Sequence, residues 1–141
     1  MKAQVKLLIA LGGLIAFGFL EVTGSIAESQ AVTVPVAADG VQRLEVTVDS
    51  YSFKPNHVIV KENVPVELVL KSVTWMVPHS FVLKSSEAGL EIEKEIPAGQ
   101  TVTVRFTPTR TGEFKFVCSK KLLFFESHAD RGMVGTLEVR E

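Results

Sequence analysis

The chain of 141 residues contains a single cysteine, Cys118, with three histidines, one tryptophan and one tyrosine. One cysteine excludes an internal disulfide framework and any centre that needs two thiolates. Three histidines are too few for a catalytic cluster of several metals. Neither sign of charge dominates: 15 basic and 16 acidic side chains leave a net charge of −1, so no nucleic acid or other polyanionic surface is an expected partner. The patterns that cradle phosphates, activate a serine or hold zinc on a helix are absent.

A bilayer-spanning run of roughly 20 apolar residues is also missing. The longest uncharged run, Leu7 to Leu20, has fourteen. Lys2 and Lys6 precede it, and Ser25-Ile26-Ala27 follows with the small-x-small character of a cleavage site. Residues 1–27 are therefore expected to be a secretory signal peptide cut before Glu28. The alternative is an uncleaved anchor extending through Val22 and Gly24, past the lone Glu21. Either way the folded part is exported, with the periplasm as the expected compartment and the membrane as a partner only if the segment stays. In an oxidising compartment, an unpaired cysteine is either a free thiol or a metal ligand.

Residues 28–40 are rich in Ala, Val and Ser without a clear period, and read as a linker or loosely attached edge segment. From Gln42 onward the chain alternates as β proteins do. Leu44, Val46 and Val48 alternate with Arg43, Glu45, Thr47 and Asp49, and Val102, Val104 and Phe106 with Thr101, Thr103 and Arg105. Phe114, Phe116 and Cys118 share one parity, so the thiol points with two large aromatics. Val66 to Leu70 is nearly continuous apolar, as a packed central strand would be. Turn residues at Lys54-Pro55-Asn56, Glu62-Asn63, Pro97-Ala98-Gly99, Thr107-Pro108 and Thr111-Gly112 cut the chain into about seven or eight strands, the spacing of a β-sandwich. A short helix or turn is expected near Ser85 to Gly89. The core is expected to rest on residues such as Leu44, Val69, Phe106 and Phe114.

Cys118 opens the segment Cys118-Ser-Lys-Lys-Leu-Leu-Phe-Phe-Glu-Ser-His128-Ala-Asp-Arg-Gly-Met133, and Val77-Pro78-His79-Ser80-Phe81 lies upstream. Two imidazoles and one thiolate with a weak axial thioether suit a copper ion that shuttles between Cu(I) and Cu(II). Each residue also has an ordinary alternative: an exposed loop histidine, a thiol packed in a core, a methionine used as filler. Pro78 and Phe81 restrict the backbone around His79, and Gly132 and Gly135 mark a tight turn around Met133, so the ligand reading is preferred. His57, just after a Pro-Asn turn, reads as a surface histidine. Met76 is a candidate second thioether, but hydrophobic cover beside Trp75 is the preferred reading. Leu122-Leu123-Phe124-Phe125 must either pack over the site, shielding it from water, or form an exposed patch for a partner; shielding is expected.

From about Gln42 to Glu141 the chain resembles the cupredoxins, the mononuclear type 1 copper fold of plastocyanin and azurin. Phe53-Lys-Pro55, Pro78-His79-Ser80-Phe81, Gly112-Glu113-Phe114-Lys115-Phe116-Val117-Cys118, and His128 through Gly132-Met133-Val134-Gly135 carry the resemblance. It implies an all-β Greek-key sandwich over residues 41–141 and one copper ion. The implied ligands are His79 from a strand-joining loop and Cys118, His128 and Met133 from the last one. Lys120 to Glu126 lengthen the cysteine–histidine segment relative to the family's short-loop members. The implied function is single-electron transfer by an exported monomer that is not an enzyme, with redox proteins docking near Phe124 and Phe125. The alternative is a periplasmic copper carrier or resistance protein. A bridged two-copper centre is excluded, because Leu122 stands where its second thiolate belongs.

Overall fold

The protein is described by a computed structural model over residues 31–141, and the expected signal peptide lies outside the described residues. Ten strands follow in order: β1 (Val32–Thr33), β2 (Gln42–Asp49), β3 (Ser52–Lys54), β4 (His57–Lys61), β5 (Val66–Ser72), β6 (His79–Ser85), β7 (Leu90–Ile96), β8 (Thr101–Phe106), β9 (Gly112–Val117) and β10 (Val134–Arg140). Eight of them have five residues or more, in keeping with the strand count expected from turn spacing. The expected helix or turn is a single 3-10 turn, Ser86–Ala88. Among the described residues, no helix is long and apolar enough to cross a membrane.

The strands form two sheets, ordered β1-β4-β10-β9-β6-β7 and β3-β2-β5-β8. In β2 the alternation read from sequence decides the faces: Val46 and Val48 are buried while Arg43 is exposed. β5 is the central strand expected, paired on both sides by β2 and β8, but its burial alternates. Leu68 and Leu70 enter the core; Val69 has the opposite parity and does not. The expectation for Val69 is therefore corrected: it shares its face with Glu67 and Lys71, the polar side of the strand. Leu44, Phe106 and Phe114 are partly buried against the core rather than at its centre.

At the centre lie Phe53, Phe81 and Phe116. Phe53 meets Phe81 and Phe116 edge-on at 6.0 and 5.2 Å between centroids, and Phe81 stacks on Phe116 at 5.1 Å. Such pairs contribute about 0.5–1.5 kcal/mol each beyond the area they bury. Gly135 lets β10 cross this cluster: a Cβ there would stand 2.2 Å from the Phe116 ring and 2.7 Å from the carbonyl oxygen of Asn56. Gln42 is the one buried amide in β2, and its Oε1 accepts from the Lys61 N–H at 2.8 Å.

Strand direction sets which loops share an end. β9 and β10 are antiparallel with Val117 opposite Val134, so the loop 118–133 leaves from one end of the sandwich. β6 pairs Val82 with Val117 in the same sheet, which brings its first residue, His79, to that end. In the segment read as a linker or edge, β1 lies on the sheet margin, parallel to β4, and Val34 is buried.

Candidate metal centre

Three of the four residues singled out in sequence converge. His79 opens β6, Cys118 follows β9, and His128 sits midway along the loop before β10; all three are buried. Their ligand-capable atoms lie within 4.8 Å of one another. The His79 Nδ1 is 3.9 Å and the His128 Nδ1 3.5 Å from the Cys118 Sγ, and the two rings are 5.2 Å apart between centroids.

Met133 is fully buried, and its backbone ties the set together. Its N–H donates to the His128 carbonyl at 2.9 Å, and its carbonyl accepts from the Cys118 N–H at 3.1 Å. His57 lies elsewhere, bonded to Glu138 at 2.9 Å, as its surface reading anticipated.

Local chemistry explains the loop's path. Ser127 Oγ donates to Asp130 Oδ2 at 2.7 Å and accepts the Asp130 N–H at 3.1 Å, a closed polar turn. The Ser127 hydroxyl and the Ser127 N–H, both donating to Oδ2, hold the Asp130 carboxyl below its usual range. Gly132 follows at φ 92°, a conformation that costs other residues dearly. That turn carries His128 and Met133 into the interior.

Burial and the nearby His128 push the His79 imidazole down to about 4. Burial, then Arg131 and Lys120, lower His128 as well. Both rings are therefore neutral near pH 7, each with a lone pair free for a metal. The His79 Nε2 is buried with no hydrogen-bond partner, and the nearest polar partner of each Nδ1 is a sulfur at 3.5–3.9 Å. Two neutral imidazoles whose nitrogens lack ordinary hydrogen bonds, beside one thiol sulfur, form a donor set suited to a copper ion.

Ser80 supports the sulfur. Its N–H donates to Cys118 Sγ at 3.3 Å, its hydroxyl lies 3.7 Å from the same atom, and Ser119 N–H donates to Ser80 Oγ at 2.9 Å. These contacts fix the thiol's position and oppose the negative charge of a bound thiolate. Sequence reading quoted Ser80 within a motif but gave it no role; its place directly after His79 was the available signal. Tyr51 was not foreseen. At φ 58° in the β2–β3 turn, it sets its ring edge-on to His128 at 5.1 Å. Arg131 lies 4.9 Å from the Tyr51 ring centroid and donates to its hydroxyl at 2.9 Å. Nothing in the local sequence signals this contact.

The shielding expectation is corrected: Leu122, Leu123, Phe124 and Phe125 are all exposed, as are Trp75 and Met76, so neither run covers the site. Met76, Val77, Leu122 and Phe125 instead help line a pocket of about 450 Å³ that reaches His128 and Tyr51. The Phe125 N–H is bonded to the Leu122 carbonyl at 3.0 Å, which folds the run into a turn away from the core.

Residues 14–134 match the cupredoxin-like domain family. Cytochrome c oxidase subunit 2 of Thermus thermophilus is 28% identical over 92 residues, 65% of this chain, and the match spans about three-fifths (61%) of that relative. Among solved structures, the metal-binding domain of a Cu(I)-exporting P-type ATPase from Streptococcus pneumoniae has a TM-score of 0.59 at 17% identity, covering 80% of this chain and 98% of that one. Auracyanin A, a blue copper protein of Chloroflexus aurantiacus, has a TM-score of 0.56 at 19% identity, covering 72% of this chain and all of its own. At such identities these structures speak for the fold alone. The family match, the two-sheet sandwich and the convergent His79, Cys118 and His128 agree: the chain belongs to the cupredoxin-like domain family.

Proposed function

We propose that this protein is an exported, monomeric carrier of single electrons rather than an enzyme. Its cofactor is one copper ion held by His79, Cys118 and His128, with Met133 as a weak axial ligand. The observation that carries the reading is the mutual approach of one imidazole nitrogen from each of His79 and His128 and the Cys118 Sγ within 4.8 Å, all from buried residues. Bound copper supplies a one-electron couple between Cu(I) and Cu(II). The chain's own part is rigidity. Backbone bonds among Cys118, His128 and Met133 and the Ser80 contacts keep the donors in one geometry whichever charge state they face.

His128 is the histidine that borders the pocket, with Phe125, Leu122, Met76 and Val77 around it. A redox protein would approach the site most closely there, over an apolar surround that need not desolvate charges. A second reading, copper delivery, is favoured by one observation: exposed Met76 lines the pocket beside His128, a soft thioether at the mouth of the site.

The deciding experiment is optical and electrochemical. Oxidised, copper-loaded protein should show an intense thiolate-to-copper band and a reversible one-electron wave. A colourless protein that passes Cu(I) rapidly to a chelating partner would replace electron transfer with delivery.

A further inference from the structure

The exposed apolar side chains at the ligand end fall into two sets. Met76, Val77, Leu122 and Phe125 line the pocket beside His128, whereas Trp75, Leu123 and Phe124 do not. These three are 88%, 75% and 99% exposed, the highest values among the exposed large apolar residues. Leu123 stands at φ 50° in the turn that presents it and Phe124, while Trp75 lies in the connection between β5 and β6. Anchors for a protein partner favour concave, desolvated pockets. Projecting tips of Trp, Leu and Phe suit the interfacial layer of a membrane instead.

Strand register supplies an independent observation. β1 runs parallel to β4 with Val32 opposite Val58, and β4 runs parallel to β10 with Val58 opposite Leu137. β10 begins at Val134, directly after the ligand loop. The chain that precedes Val32 therefore joins the sandwich at the ligand end. In sequence, an uncleaved anchor extending through Gly24 is separated from Val32 by seven residues, which reach at most about 25 Å when extended. Charge does not distinguish this end. Lys120, Lys121 and Arg131 are matched by Glu95, Glu126 and Asp130, with Lys120 bonded to Glu95 and Arg131 at 4.0 Å from Glu126.

We propose that the ligand end faces a lipid bilayer, with Trp75, Leu123 and Phe124 set into its interfacial layer and, as tether, the N-terminal segment in its alternative role as an uncleaved anchor extending through Val22 and Gly24. Tethering makes contact intramolecular, at an effective concentration of about mM, so three side chains suffice where a free domain would bind weakly. Because the surrounding charges balance, the contact is apolar and indifferent to anionic lipid and to salt. Met76, Leu122 and Phe125 adjoin the inserted residues, so a redox partner that uses the pocket would meet it at the membrane surface.

Trp75 is the chain's only tryptophan, so its fluorescence reports this contact alone. The full chain, copper-loaded and kept reduced, is reconstituted into phosphatidylcholine vesicles, with and without anionic lipid and brominated lipid. Trp75 emission should shift to shorter wavelength, resist aqueous acrylamide and be quenched by the bromines, equally in both lipid mixtures and at low and high salt. The double substitution Leu123→Ser, Phe124→Ser should reverse the bromine quenching several-fold and leave the copper band of the oxidised protein unchanged. That band separates failure here from failure of the electron-transfer reading. A Trp75 that stays as accessible to acrylamide as a free tryptophan amide overturns the proposal. So does shielding that needs membrane proteins rather than pure lipid, which would mark a protein partner. A protein isolated from its own cells with Glu28 as first residue would also overturn it.

Discussion

The loop between β9 and β10 has two halves built on opposite rules. Ser127 to Met133 is rich in polar and small residues, yet it closes on itself through Ser127 and Asp130 and delivers His128 and Met133 into the interior. Leu122 to Phe125 is wholly apolar, yet it stands in water. Hydropathy alone would have exchanged them. What separates the halves is where backbone polar groups find partners. The His128 N–H donates to the Lys120 carbonyl at 2.8 Å and the Gly132 N–H to the Ala129 carbonyl at 2.9 Å, so the second half pays its desolvation with bonds. The first half gains one such bond within the run, from Phe125 N–H to the Leu122 carbonyl, and offers a surface.

The largest effect should come from removing the one atom the ordered half is arranged around. Cys118→Ser is expected to abolish the visible copper band while the thermal melt stays cooperative, since a serine oxygen is a hard, poor ligand for Cu(I). A mutant that kept its colour would remove Cys118 from the site; one that failed to fold would make the thiol a core residue first. Gly135→Ala attacks the point where the ordered half rejoins the sheet. The added methyl meets Phe116 and the Asn56 carbonyl, so a loss of about 3 kcal/mol in denaturant unfolding is expected. An unchanged midpoint would mean that the aromatic cluster shifts freely.

The next prediction concerns pH in the copper-free protein. The His79 pKa falls from 6.5 to about 4 on folding. Between those values the unfolded chain binds a proton that the folded one excludes, so stability is full above about 6.5 and is lost as pH falls toward 4. The loss is ~3 kcal/mol at most, and the lowered pKa of His128 adds in the same direction. Melts at stepped pH should flatten over this window in His79→Gln. An unflattened profile would place the titration elsewhere.

Smaller effects sharpen the contrast between the halves. Ser127→Ala removes both side-chain bonds of the closed turn and should cost about 1 kcal/mol. Phe125→Ser, in the exposed half, should change stability by less than ~0.5 kcal/mol. It should instead slow electron exchange with a redox partner in stopped flow, with the copper spectrum intact. If Phe125→Ser bleached the band, the apolar half would belong to the site's enclosure after all.

Much of the fold was legible because period-two alternation is a local signal. Val46, Val48, Val104 and Phe116 were placed inward by parity, and turn residues marked the β3–β4, β4–β5, β7–β8 and β8–β9 connections. Val69 was misplaced because the run was read as continuous, although Glu67 and Lys71 share its parity and mark that face as the outer one. The ligand candidates were legible for a different reason: a lone cysteine followed by His and Met at fixed spacing has few other uses. Ser80 and Tyr51 were not legible as supports. Their roles depend on contacts 38 and 77 residues away in sequence, with Cys118 and His128.

By itself the sequence determined the strand pattern, the donor types and the exclusion of any two-thiolate or multi-histidine chemistry, because these follow from composition and near-neighbour spacing. Only the tertiary structure decided that His79 meets residues 39 and 49 positions downstream, since strand pairing sets that distance. It also decided that the apolar run lies outside and the polar turn inside, because a loop's course is fixed by backbone hydrogen bonds rather than by the hydropathy of its side chains.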